Sequence, residues 1–93
     1  MKINLDKKYI YPAVISHDIP DEYGIVFPDI SGCTGQCSRD IDVMKYAEET
    51  LAAHIELMLE NNEEIPEPSV LHGNSIILVE LHLPLLKAFF QFK

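Results

Sequence analysis

Ninety-three residues with 47% hydrophobic and 24% charged side chains make one small globular domain, burying only about two-thirds of the surface its unfolded chain exposes. No apolar run approaches the roughly 20 residues that span a membrane, and no apolar segment follows the basic start, so a cytoplasmic protein without a secretory signal is expected. The net charge of -8 is unevenly placed: Arg39 and Lys45 are the only cations between residues 9 and 86, an interval that holds every Asp and Glu except Asp6, and so acidic a body repels nucleic-acid backbone. It suits a solvated surface or a basic partner protein.

Residues 1–8 read as a short lead-in that pairs weakly or frays. From Tyr9 to His17, Tyr9, Tyr11, Ala13 and Ile15 alternate with Ile10, Val14 and Ser16, and the β-branched and aromatic content predicts a strand. Pro12 cannot donate to a ladder, so it should face an edge or a bulge. Asp18 to Glu22, with Pro20, is turn chemistry, and Tyr23 to Pro28 predicts the returning strand of a hairpin. After Asp29 to Gly32 comes a short third strand around Thr34 to Ser38.

Asp40 to about Asn62 is the segment periodic enough to predict a long helix, with Ile41, Met44, Ala47, Leu51, Ile55 and Met58 on its core side. Ser38 or Asp40 is the expected cap, Asp40 and Asp42 fall in the first turn, and Asn61 and Asn62 close the helix. Glu48, Glu49, Glu56 and Glu60 make the other side wet and negative. Glu64 to Gly73, with Pro66 and Pro68, predicts an extended connection. Ser75 to Leu83 is the strongest strand pattern, apolar on both sides at its start, which predicts a place inside the sheet, while Glu80 and His82 bring its second half to the surface. The order is βββαβ, an α+β layer in which one long helix packs on a mainly antiparallel sheet.

The candidate reactive residues do not assemble into a catalytic group. Cys33 and Cys37 lack the further ligands of a zinc site and are expected to be reduced packing thiols, Cys33 a small buried filler behind a glycine. His17, His54, His72 and His82 lie in four different elements, with His54 a partly buried packing imidazole. A two-metal hydrolase needs three or four convergent carboxylates, and Tyr9 to His17 supplies none; Asp29 and Glu80, which could approach each other on the sheet, read as a turn residue and a solvated one. No cofactor or metal is expected.

Tyr11-Pro12-Ala13-Val14-Ile15, then Tyr23 to Cys33 with Phe27-Pro28-Asp29-Ile30-Ser31-Gly32-Cys33, then Ala47-Glu48-Glu49-Thr50-Leu51, and then Ile65-Pro66-Glu67-Pro68-Ser69 follow in order a known pattern. In these stretches, over roughly residues 9–83, the chain resembles the HicB antitoxin family. The resemblance implies a partial, degenerate RNase H-like fold over residues 1–83 and an antitoxin of a type II toxin-antitoxin system. Its partner would be a small basic HicA-like mRNA-cleaving toxin, held inactive by occlusion with an acidic surface. The carboxylates assigned to that contact are Asp18, Asp21, Glu22, Glu48, Glu49 and Glu56. An orphan RNase H-like enzyme with residual metal-dependent nuclease activity is the alternative in another class. Asp40 stands where the family usually has leucine, which predicts a shifted or irregular first helical turn.

Longer relatives continue past the last strand into a DNA-binding module, whereas residues 84–93 here form a short hydrophobic tail, so autorepression is not carried over and no direct nucleic-acid binding is expected. Leu85, Leu86, Phe89 and Phe90 are spaced for a short helical tail. Three phenylalanines in water would form an apolar patch that soluble monomers rarely carry. The tail must be covered, either by docking over its own sheet or helix end or by pairing with the same tail of a second copy; the second is favoured, a homodimer or higher even oligomer with Leu86, Phe89, Phe90 and Phe92 in its interface.

Overall fold

The structure, a computed structural model, describes residues 7–82. Strands β1 (Ile10–Ser16), β2 (Glu22–Val26) and β3 (Thr34–Ser38) are followed by helix α1 (Val43–Glu60) and strand β4 (Ile76–Glu80). The four strands form one antiparallel sheet in the order β3-β2-β1-β4, with the helix on one face. This is the α+β layer and the element order that the sequence pattern predicts.

β1 forms because its alternation fits a half-buried pleat. Tyr9, Tyr11, Ala13 and Ile15 are buried on the helix side, together with Ile25, Phe27, Cys37, Val79 and Leu81. Although β1 is central, Pro12 breaks no ladder. The bonds Ile15 N–H to Ser75 O (2.7 Å) and Leu81 N–H to Tyr9 O (2.8 Å) assign the odd residues of β1 to β4, so the Pro12 nitrogen points towards β2. Pairing with β2 begins only at Val14, opposite Val26. The expected edge position is thus met locally, beyond the end of the neighbouring strand.

β4 departs from its predicted place, because it is the last strand of the described sheet rather than an interior one. Its apolar residues on both faces gave the opposite expectation. Ile77 and Val79 point to the helix, but Leu78 is 53% exposed on the outer face beside Pro12.

The helix starts later than its pattern predicts. Asp42, not Ser38 or Asp40, is the N-cap: its carboxylate accepts from the N–H groups of Met44 (3.1 Å) and Lys45 (3.2 Å). Asp40 is instead held by the Ser38 hydroxyl at 2.5 Å, and neither aspartate lies within the first helical turn. Ile41 therefore precedes the helix and is 49% exposed, outside the core stripe it was assigned to. The closing residues are as expected. Asn62 takes the left-handed conformation (φ 58°), so Glu63 N–H reaches Met58 O (2.8 Å) and Asn62 N–H reaches Leu59 O (3.2 Å), a Schellman closure.

The buried stripe is Ala47, Leu51, Ala52, Ile55 and Leu59, with Met44 and Met58 packed partly against it. Leu59, four residues after Ile55, continues the stripe, and Ala52 beside Leu51 widens it. The tail at 84–93, and with it Leu86, Phe89, Phe90 and Phe92, lies outside the described residues. At 0% exposure, Leu51 sits at the centre of the helix-to-sheet seam. Leu51→Ala should lower stability by about 2–5 kcal/mol, against the roughly 5–15 kcal/mol a domain has. Urea unfolding with an unchanged midpoint would remove Leu51 from that role.

Candidate functional site

The connection between β2 and β3 explains a large part of the sequence pattern. Phe27 to Ile30 is one turn, closed by Ile30 N–H to Phe27 O at 3.1 Å, with Pro28 at the position where a fixed φ helps. Ile30 to Cys33 is a second turn, closed by Cys33 N–H to Ile30 O at 3.1 Å, with Gly32 at φ 79° where a side chain would be strained. Phe27 N–H to Cys33 O (3.0 Å) ties both ends, and Phe27, Ile30 and Cys33 are buried anchors.

Asp29 then clips this loop to the segment after the helix. Its carboxylate accepts from Ser69 N–H at 2.7 Å and from the Ser69 hydroxyl at 2.6 Å. Four residues earlier Ile65 is buried, and the Pro66 carbonyl accepts from the Tyr11 hydroxyl at 2.7 Å. Burial pushes the Tyr11 phenol well above its ordinary range, with the charges of Tyr9, Glu67 and Asp29 adding to the effect. The Phe-Pro-Asp and Pro-Glu-Pro-Ser stretches are therefore two sides of one junction. Asp29 was legible as a turn residue; its partner was not, because a bond across 40 positions leaves no local spacing.

The six carboxylates singled out for partner contact fall into distinct surroundings. Asp18 and Asp21 are exposed in the turn between β1 and β2, Asp21 at φ 65° with its carbonyl accepting from Arg39 N–H (3.0 Å). Glu22, half-buried, accepts from Gln36 Nε2 at 2.5 Å. The Gln36 main-chain N–H in turn donates to the Tyr46 hydroxyl at 3.1 Å, and Tyr46 lines a shallow depression with Ile41, Asp42, Lys45 and Glu49. A second depression is lined by Asp21, Ser38, Arg39 and Asp40. An acidic rim thus runs round the β3 side, joined by Asp40 and Asp42, which the sequence pattern places in the first helical turn. Gly35 makes this packing possible, since a Cβ there would meet the Tyr46 hydroxyl at 2.8 Å.

Glu48 belongs elsewhere. It pairs with His82 Nε2 at 3.0 Å, just beyond β4, so it is not gathered with Glu49 despite being its neighbour in sequence. Glu56 is half-buried further along α1. Two cations sit within the rim: Lys45, and Arg39, whose guanidinium lies 5.4 Å from the Tyr23 ring. A basic partner would meet carboxylates interrupted by these two charges.

Both thiols are free and buried. Burial pushes Cys33 up to about 11, and burial and then the Glu22 charge also raise Cys37, so both are held as neutral thiols. Cys33 is the buried filler its position predicts. His54 is half-buried near Gly32, and His17 packs edge-on against Tyr23 at 5.1 Å. Among the described residues no group of three or more His, Cys, Asp or Glu could hold a metal ion, and no helix there is long and apolar enough to cross a membrane.

Residues 11–76 match the family model of HicB-like antitoxins of bacterial toxin-antitoxin systems. The chain belongs to this family. It is also 36% identical over 58 residues to an uncharacterized 14.9 kDa protein in the rep-hol intergenic region of Haemophilus phage HP1. That alignment covers 62% of this chain and 43% of the phage protein, so the chain spans less than half of that relative. The family match runs from Tyr11 to Ile76, and this HicB-like domain therefore carries the Asp29–Ser69 junction and the acidic rim inside the matched stretch.

Two outcomes follow. Asp29→Ala should remove both bonds to Ser69, destabilise the domain by about 1–2 kcal/mol and speed hydrogen exchange at the Ser69 amide; an unchanged exchange rate would show that the junction holds without the clip. The second concerns alkali. An unfolded Cys33 ionises near its ordinary 9.0 and the folded one near 11, so over that window the unfolded chain binds fewer protons and stability falls as pH rises. Tyr11 acts in the same direction at higher pH. The thermal midpoint should be level up to about pH 8 and decline above about pH 9, and a midpoint rising through that window would contradict the buried neutral thiol.

Proposed function

We propose that this chain is an antitoxin that binds and neutralises a small basic HicA-like mRNA-cleaving toxin by occlusion in the cytoplasm, without catalysis. Membership of the HicB-like family carries the reading. The acidic rim of Asp18, Asp21, Glu22, Asp40, Asp42 and Glu49 supports it, because carboxylates standing where RNA phosphates would dock keep substrate away from a basic surface. Glu48 and Glu56, on other parts of the helix, extend the contact if the toxin wraps α1. In the same reading the layer is a degenerate RNase H-like fold and the chain self-associates.

Occlusion suits these residues better than hydrolysis. Asp29, one of two carboxylates considered for a nuclease, has both oxygens engaged by Ser69. Glu80, the other, lies on β4 opposite Ile10.

The test is association kinetics with a small basic HicA-like toxin. Replacing Asp21, Glu22 and Glu49 together by Lys should slow association on the order of tenfold or more and flatten its salt dependence. Circular dichroism should stay that of the parent. Rates indifferent to both charge reversal and salt would remove the electrostatic mechanism, and the absence of any complex would remove the antitoxin reading.

A further inference from the structure

The two rims of the sheet are unlike. At β3 the outward N–H of Gln36 is taken by the Tyr46 hydroxyl, and the outer-face residues Thr34, Gln36 and Ser38 are polar and exposed. That rim is blocked against another strand. At β4 the ladder to β1 uses Ser75 and Leu81, and by alternation Ile77 and Val79, leaving the main-chain groups of Ile76, Leu78 and Glu80 facing outward. Ile76 N–H turns back to Gly73 O at 3.3 Å. Among the described residues no hydrogen bond reaches the N–H of Leu78 or Glu80.

Ile76–Glu80 carries no proline, no lysine and no bulge in its register with β1, and its one charge, Glu80, stands at its end. Up to Val79 the strand is also apolar on both faces, a composition that belongs to strands with neighbours on each side. Its outer-face Leu78 is 53% exposed, and Ile10 and Val26 are exposed on the same face. Composition and position disagree, and a strand added at this rim reconciles them.

We infer that the added strand is β4 of a second copy, paired antiparallel across a two-fold axis at Leu78. The register follows from the residues. An axis at the middle residue pairs the whole strand, with Leu78 opposite Leu78 and Ile76 opposite Glu80, so no two like charges face each other. An axis at Glu80 would oppose two carboxylates, and one at Ile76 would leave Glu80 opposite residues before the strand; with the axis at Leu78 the Ile76 N–H stays on Gly73 O and the N–H groups of Leu78 and Glu80 carry the pairing. The resulting eight-stranded sheet places both Leu78 side chains together on its outer face. It leaves the acidic rim at β3 as the outer edge of each copy, where a partner can still reach it. The inference does not depend on what that partner is.

The experiment uses the full chain. Leu78→Pro deletes the outward donor without touching the ladder to β1, and Leu78→Lys places a charge at the axis on a side chain already half in water. Sedimentation equilibrium should give a dimer for the parent and monomers for both variants at the same concentration, with parental circular dichroism. Hydrogen exchange in the parent should show the Leu78 and Glu80 amides protected, and less so on dilution. A monomeric parent overturns the inference. So do Leu78 variants that sediment as the parent does, which would move the interface to another surface such as the tail with Phe89 and Phe90, and so do Leu78 and Glu80 amides that exchange freely in a dimer.

Discussion

Everything in this domain depends on one helix covering one face of a four-stranded sheet. The seam is narrow: small Ala47 and Ala52 let the helix approach, Leu51 and Ile55 fill the space, and Tyr11, Ala13, Ile25 and Val79 receive them. A chain of this size has no second core to fall back on. The seam also needs its ends fixed, because an amphipathic helix free to slide along its axis would exchange Leu51 for Met58 without leaving the sheet. Asp42 at one end and the left-handed Asn62 at the other set the length, and the Tyr11 hydroxyl on Pro66 returns the chain to the sheet. The Asp29–Ser69 bonds then lock that return to the opposite loop.

The parts of this arrangement that were legible in the sequence are those with a local physical cause. The alternation of β1, the turn residues before β2, the short β3 and the Asn-Asn helix end are each set within a few residues, and the structure places them as the pattern implies. The helix start is not set by the local pattern, because Ser38, Asp40 and Asp42 are all good caps. The choice among them is made by the turn in which Ile41 N–H bonds to Ser38 O at 3.2 Å, which spends two more residues before the helix. The rim position of β4 was not legible at all. Two-sided apolarity reports how many surfaces a strand buries, not whether its own chain supplies the cover.

The acidic rim was legible only in part, for a related reason. A count of carboxylates shows the sign of the surface, but gathering them depends on strand order, which brings the β1–β2 turn beside the β3–α1 connection. Glu22, Asp21 and Asp40 become neighbours through that topology, and Glu49 joins them through Tyr46 and Gln36, while adjacent Glu48 turns to His82. Several of these carboxylates are already held: Glu22 by Gln36, Asp40 by Ser38, Asp42 by the helix amides. Groups fixed before binding lose less side-chain freedom when a partner arrives.

The two rims of the sheet follow different rules because they meet different surroundings. At β3, Gly35 admits the Tyr46 ring, the ring supplies the hydroxyl that takes the outward amide of Gln36, and Gln36 orients Glu22. One glycine therefore links the protection of an edge to the order of the charges beside it. A side chain at position 35 would displace Tyr46, free the edge for pairing and loosen Glu22 together, so strand protection and acidic surface are coupled there. At β4 no such coupling exists among the described residues, and the strand keeps an interior composition. A sheet defended at β3 and, among the described residues, uncovered at β4 has a direction: the inferred pairing adds a strand at β4 and leaves the polar and charged rim at β3 exposed.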